Sequence, residues 1–191
     1  HLNEYISMDF EMGFIESFED IMNMEVGVLK YIMNLLKTEY ANEVELLHVE
    51  IPEIKEVPVL KFMEAKEIIM KKFKYQPTDM KDFDPEEEQI LGKYAKKQFN
   101  SDFIFITHYP SKKRPFYTMD DPEDPEYTLS FDLLFRGLEI TSGGQRVHDY
   151  KQQVEKMEKL GMNPEEFATY LMLHKYGAPP HGGLGLGLER L

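Results

Sequence analysis

Residues 131–150 read FDLLFRGLEITSGGQRVHDY. With Leu129 just before them, Phe131, Leu133 and Phe135 recur every second position, the period of a strand with one buried face. Arg136-Gly137 breaks that phase as a tight turn or bulge does, and an extended pattern resumes from Leu138 to His148. The same segment carries Asp132, Arg136, Glu139, Ser142, Gln145, Arg146 and His148. Acids and arginines interleaved on paired strands can hold a hard cation and an anionic ligand together. Exposed cross-strand ion pairs would give the same pattern.

Strand periodicity also opens the chain. In HLNEYISMDFEMGF (1–14), Leu2, Ile6, Met8, Phe10, Met12 and Phe14 hold even positions, and a polar row that includes Tyr5, Ser7, Asp9 and Glu11 holds odd ones. Ser17 and Asp20 resemble a capping box. Ile21, Met24, Val28, Ile32 and Leu35 then predict a helix from Ser17 to Tyr40. Val44 to Ile51 reads as a strand, and Lys61 to Phe73 as a helix. Asp84-Pro85-Glu86 starts another, running to Phe99, because it offers an N-cap, a proline at the first helical position and an acidic first turn. Phe103 to Ile106 is a buried strand. Met119 to Glu126, rich in acids and prolines, reads as a solvated, mobile loop. Helices follow over Tyr150 to Leu160 and Asn163 to Tyr176, ended by Gly161 and Gly177. Without a βαβ rhythm, the pattern predicts an α+β fold: an antiparallel sheet of about five or six strands flanked by helices. Residues 2–14, 129–135, 138–148 and 182–188 are expected in that one sheet.

At 191 residues, 42% hydrophobic and 30% charged, the chain has the size and balance of one soluble domain. It has no apolar run of about 18 residues, no visible signal peptide and no cysteine, so disulfides and thiolate metal sites are excluded and a cytoplasmic location is expected. A net charge of −13 argues against broad binding to a phosphate backbone.

HGGLGLGLERL (181–191) is the least ordinary segment. Its glycines weaken a strand but let a flat ligand approach the backbone. Glu189-Arg190-Leu191 reads as the first turn of a helix, a place suited to phosphate oxygens. The spacing is neither that of a P-loop nor that of a dinucleotide fingerprint, and a structural turn is the plain alternative.

Taken together, these stretches resemble class II aminoacyl-tRNA synthetases. HLNEYISMDFEM is similar to the second half of their motif 2 and GGLGLGLERL to their motif 3. FDLLFRGLEITSGGQRVHD resembles the aspartyl branch, in its archaeal and eukaryotic form, and YPSKKRPFY and YGAPPHGG resemble linking segments of that branch. The asparaginyl branch usually shows GEI-x-GG where this chain has residues 138–144, LEITSGG. The resemblance implies a class II synthetase-like sheet in which residues 1–191 form an adenylate-making catalytic core. It implies that ATP is held by His1, Leu2, Tyr5, Glu139, Gly185, Gly187, Leu188, Glu189 and Arg190, with Tyr5 stacked on adenine. Aspartate would be held by Asp9, Ser142 and Arg146, and Mg²⁺, with ATP, by Asp132, Glu139 and Ser142. Glu139 and Arg190 would be the catalytic pair. The partners implied are ATP, L-aspartate and the acceptor end of a tRNA, with no membrane, in an enzyme that is a homodimer when complete.

Motif 1, the anticodon-binding domain and the first strand of motif 2 with its arginine are missing, so the chain reads as an excised piece, inactive alone. Two other functions fit the sequence: an adenylate-forming paralogue of asparagine-synthetase or asparaginyl-tRNA-synthetase type, and a non-catalytic synthetase-like binding module.

Overall fold

The computed structural model describes residues 3–191. Twelve strands and helices alternate irregularly: β1 (Ser7–Gly13), α1 (Glu19–Glu39), α2 (Ala41–Leu46), β2 (Val59–Lys61), α3 (Phe62–Phe73), α4 (Pro85–Phe99), β3 (Phe103–Thr107), β4 (Ser130–Phe135), β5 (Leu138–Gln145), α5 (Tyr150–Lys159), α6 (Ala168–Lys175) and β6 (His181–Gly187). The strands form one sheet in the order β1-β6-β5-β4-β3-β2. Every pairing is antiparallel except the short edge pair β2–β3, which is parallel. The expected α+β architecture and shared sheet are therefore present, with one parallel exception at the rim.

Each face of the sheet has its own core. Phe103, Phe105, Phe131, Leu133, Ile140, Leu184 and Leu186 pack with Ile21, Met22, Leu29 and Met33 of α1. On the opposite face Ile104, Ile106 and Leu134 pack with α3 and α4 through Phe62, Ala65, Ile69, Leu91 and Ala95. Strand alternation then puts Asp132 on the α4 side with Leu134, and Gly185 and Gly187 there too, because Leu184 and Leu186 point to α1. α3 and α4 serve the β3–β4 half of that side. Over β1, β6 and β5 the face stays open, and the polar groups gather there.

Two local features set the geometry of the β4–β5 hairpin. Arg136 and Gly137 both have positive φ, 51° and 80°, the primed two-residue turn that suits strand twist. α4 lies directly on this turn. Gln89 Nε2 donates to Gly137 O at 2.9 Å, and a β-carbon at Gly92 would come within 2.5 Å of Gly137 N. Beyond the turn the register slips, with Leu134 facing Glu139 but Leu133 facing Thr141. The extra residue, Ile140, is a bulge. Residues three apart on a regular strand face opposite ways; the bulge lets Glu139 and Ser142 share one side.

Several expectations are corrected. Val44 to Ile51 is not a strand: α2 and an irregular segment occupy it, and Leu46, Leu47 and Val49 lie exposed. Helix-forming Ala41 and Glu43 and the absence of a sheet neighbour outweigh the apolar run. The buried stripe of α1 is Ile21, Met22, Glu25, Leu29 and Met33, one flank away from the expected one, and Met24 is exposed. Asp20 does reach back to Ser17 N at 3.3 Å, but Ser17 Oγ accepts from Glu19 N, so only half of the capping box forms. Phe14 leaves the apolar row of β1, exposed and at φ 61°. The helix expected over Asn163 to Tyr176 begins as a 3-10 turn, Pro164–Phe167, before α6. The acidic loop is anchored at its start: Lys156 Nζ holds Asp120 Oδ1 at 2.7 Å and Met119 N donates to Gln145 O, leaving residues 123–126 exposed. Among the described residues no helix is long and apolar enough to cross a membrane.

Candidate active site

Two neighbouring clefts lie on the open half of the sheet, of about 620 Å³ and 580 Å³. The first is lined by Asp9, Glu11, Arg114, Tyr117, Thr118 and Arg146, among others. The second is lined by Tyr5, Ser7, Glu139, Gly187 and Arg190 with Leu138 and Ile140. Ser142 and Gly185 line both. Of the expected site residues, the strands and the segments that flank them thus bring Tyr5, Asp9, Glu139, Ser142, Arg146, Gly185, Gly187 and Arg190 onto one continuous surface. His1 and Leu2 lie outside the described residues. Leu188 lines neither cleft. Glu189 turns toward the residues just before β1, where its two carboxylate oxygens accept Ile6 N–H at 2.9 and 3.0 Å, a tie between the 188–190 turn and the start of that strand.

In the first cleft Arg146 is already paired. Its Nε and Nη2 donate to Glu11 Oε1 at 3.0 and 2.6 Å, and its guanidinium lies 5.2 Å from the Tyr117 ring centroid. The arginine side chain is 17% exposed and the glutamate 55%, so one partner is fixed and the other can yield. Asp9 accepts from Ser7 Oγ at 2.5 Å and faces Gly185 across the β1–β6 pair. A β-carbon at 185 would sit 2.8 Å from Asp9 Oδ1, so the glycine is what lets the carboxylate stand over the strand. Gly182 and Gly183 serve packing instead: β-carbons there would strike Ile21 and the Phe10 carbonyl.

In the second cleft Arg190 Nη1 donates to the Glu139 carbonyl at 2.7 Å, fixing the guanidinium above β5. Glu139 N, displaced from the ladder by the bulge, donates to Glu88 Oε2 of α4 at 3.1 Å. Burial, then the charges of Asp132 and Glu88, hold the Glu139 carboxyl well above the usual carboxylate range, against the pull of Arg190 and Arg114. Burial also raises the Glu88 carboxyl. Three carboxylates in one desolvated corner are short of positive charge.

That shortage bears on the expected cation. Asp132 and Ser142 are directly opposed across β4–β5, and Asp132 Oδ1 is buried without a hydrogen-bond partner. Two carboxylates and a hydroxyl fit a hard cation such as Mg²⁺ that completes its shell with water and phosphate oxygens. Among the described residues no three His, Cys, Asp or Glu side chains converge as a ready-made metal cage.

Sequence reasoning missed Glu11, Arg114 and Glu88. Glu11 shares the odd-numbered row with Asp9 and could have been found there. Arg114 and Glu88 lie in an irregular connection and in an acidic first helical turn, where no periodicity signals a site. The chain has four arginines, and three of them, Arg114, Arg146 and Arg190, line these clefts. In a chain of net charge −13, such an island suits an anionic ligand.

A family described as class II tRNA synthetases (D, K and N) matches residues 1–191. An aspartate–tRNA(Asp/Asn) ligase of Aeropyrum pernix is 46% identical over 100% of this chain and 44% of its own length; the chain thus spans under half of that relative. The solved aspartyl-tRNA synthetase from Entamoeba histolytica superposes with a TM-score of 0.92 at 30% identity, over 100% of this chain and 40% of that one. The asparaginyl-tRNA synthetase of Pyrococcus horikoshii complexed with asparaginyl-adenylate gives 0.85 at 30% identity, over 100% and 44%.

Proposed function

The chain belongs to the class II tRNA synthetases (D, K and N), and from that premise we propose that it is the adenylate-forming core of an aspartate–tRNA ligase, part of a longer polypeptide. One observation carries the reading: the cleft holding Asp9 and Arg146 and the cleft holding Glu139 and Arg190 meet at Ser142 and Gly185. A ligand spanning both has its amino-acid end beside Arg146 and its nucleotide end beside Arg190.

Arg146 takes the side-chain carboxylate of aspartate in a fork that lysine cannot copy, and Asp9 takes the ammonium. Tyr5, 71% exposed at the mouth of the second cleft, offers a ring face to adenine, Gly185 and Gly187 leave room for the nucleotide, and Arg190 neutralises its outer phosphate. The aspartate α-carboxylate attacks the α-phosphorus in line, forming a new P–O bond as pyrophosphate leaves. No general base is needed, because the nucleophile is already ionised; position and charge neutralisation do the catalysis. Asp132, Glu139 and Ser142 would hold Mg²⁺ with ATP, and that cation supplies charge neutralisation on the phosphate oxygens. The activated aspartate then passes to the 3′ end of a tRNA. A cytoplasmic, homodimeric enzyme follows from the same reading.

ATP–pyrophosphate exchange by the full-length protein tests it. Aspartate supports exchange and asparagine does so far more weakly. Equal exchange with asparagine, or none with either, removes the reading.

A further inference from the structure

Arg114 belongs to none of the expected site residues. It follows a short 3-10 turn, Ser111–Lys113, in the connection after β3. Its Nη1 donates to Ser142 Oγ at 2.8 Å, and Nη2 lies 2.7 Å from Asp132 Oδ2 with both side chains about a tenth exposed, 11% and 9%. Its guanidinium rests 3.9 Å from the centroid of the Tyr109 ring. Asp132 and Ser142 are the cross-strand pair that fits a hard cation, so a guanidinium already holds two of the three groups that a metal would use.

The hold is incomplete. Despite its short distance Nη2 makes no aligned hydrogen bond, and Asp132 Oδ1 has no partner at all. Attraction here is mostly charge, which a divalent cation with phosphate oxygens can outbid. The backbone at Arg114 is held by its own turn: Lys113 N donates to Pro110 O at 2.9 Å and Arg114 N to Ser111 O at 3.2 Å, and Pro115 follows. The guanidinium already lies on the Tyr109 face, and that cation–π contact does not depend on the bond to Ser142. A side chain on a fixed backbone can therefore release Ser142 without the loop moving.

We propose that Arg114 is the built-in counter-cation of this site. It holds Asp132 and Ser142 in line while no nucleotide is bound, and it yields Ser142 Oγ only when a divalent cation comes with nucleotide phosphates. Metal and nucleotide binding are coupled because one positive charge has to displace another. Arg114 is a positioning residue here, acting through Asp132 and Ser142. The inference rests on the adenylate-forming reading above.

The test measures Mn²⁺ binding to the full-length protein from the loss of the free-ion paramagnetic signal, with and without a non-hydrolysable ATP analogue. In the wild type, Mn²⁺ binds weakly alone and much more tightly with the analogue. Arg114→Gln removes the competing charge, so nucleotide-free Mn²⁺ affinity rises roughly tenfold or more and the enhancement by nucleotide shrinks. Arg114→Lys carries the same test should the glutamine variant fail to fold: one ammonium cannot hold Asp132 and Ser142 together, and nucleotide-free affinity rises roughly threefold. A purely structural arginine would lower the melting temperature and leave these affinities alone. Unchanged or weaker nucleotide-free binding in a folded variant overturns the proposal. Absence of aspartate-dependent exchange in the wild type would instead remove the reading beneath it.

Discussion

Glu25 gives the sharpest test of how the core beneath the site is built. Its residue is 1% exposed, in the middle of the α1 stripe that packs under the sheet. Neither carboxyl oxygen makes a well-aligned hydrogen bond, and the Thr141 hydroxyl of β5, the side chain that steadies the charged form, approaches it without alignment. Burial is the main reason that its pKa is pushed up from 4.5 to about 7, with Thr141 opposing and Asp132 adding to the rise. The folded state therefore keeps a proton that the unfolded chain gives up. Between pH 4.5 and about 7 the unfolded chain binds fewer protons than the fold, so stability falls as pH rises through that window. Each tenfold change in proton affinity is worth about 1.4 kcal/mol, so the displacement from 4.5 to about 7 amounts to about 3 kcal/mol. Glu25→Gln keeps the shape and cannot ionise. Urea unfolding at pH 5 and pH 8 should show the variant gaining roughly 2–3 kcal/mol on the wild type between the two conditions, since at pH 5 the unfolded carboxyl has already lost most of its proton. The gain is read as a difference of differences, which removes any cost of burying the amide. Parallel stability profiles for the two proteins would refute the reasoning and place the Glu25 carboxylate in contact with water or a cation.

Three further outcomes follow from the geometry. Arg146→Lys keeps the charge and loses the fork; with charge-assisted hydrogen bonds worth about 1.5–3 kcal/mol, aspartate activation should fall roughly ten- to a hundredfold. Arg146→Gln should lose more and narrow the gap to asparagine, with the apparent affinity for ATP nearly unchanged in exchange assays. Gly185→Ala drives a methyl group against Asp9 Oδ1, 2.8 Å away, so the KM for aspartate should rise more than the KM for ATP. In the α3–α4 core the Lys66–Glu87 pair, 2.6 Å apart with both side chains 0% exposed, should break expensively. Lys66→Met should cost about 3–5 kcal/mol in urea unfolding, and adding Glu87→Leu should recover part of the loss.

Much of this was legible in the sequence because period-2 alternation with breaks at Gly and Pro marks strands and turns strongly. The Arg136-Gly137 turn and the Asp84 cap, which accepts from Glu86 N and Glu87 N, lie where the pattern puts them, and so do the four site strands, although β1 begins only at Ser7 and β5 ends at Gln145. The errors have identifiable causes. A carboxylate at position 25 interrupts the true buried stripe of α1, so a purely apolar count selects the neighbouring flank. Leu46, Leu47 and Val49 look like a strand only if an apolar run must be buried, and here it is not. The bulge at Ile140 has no sequence signature of its own, yet it lets Glu139 and Ser142 act on one face. Asp9, Glu139, Arg146 and Arg190, which line the clefts, could be singled out because they stand in patterned strands or a motif. Arg114 and Glu88 were not, since the fold brings them to the site from a loop and a helix far away in the chain.

The most direct measurement is a crystal structure of the full-length protein with a non-hydrolysable aspartyl-adenylate analogue. The account places the aspartyl carboxylate on Arg146, the ammonium on Asp9, the adenine against Tyr5 and Gly187, and the acyl-phosphate junction beside Ser142 and Gly185. An analogue bound away from this half of the sheet, or lying in it with the aspartyl group on Arg190 and the adenine beside Arg146, would show that the two clefts do not divide amino acid from nucleotide in this way.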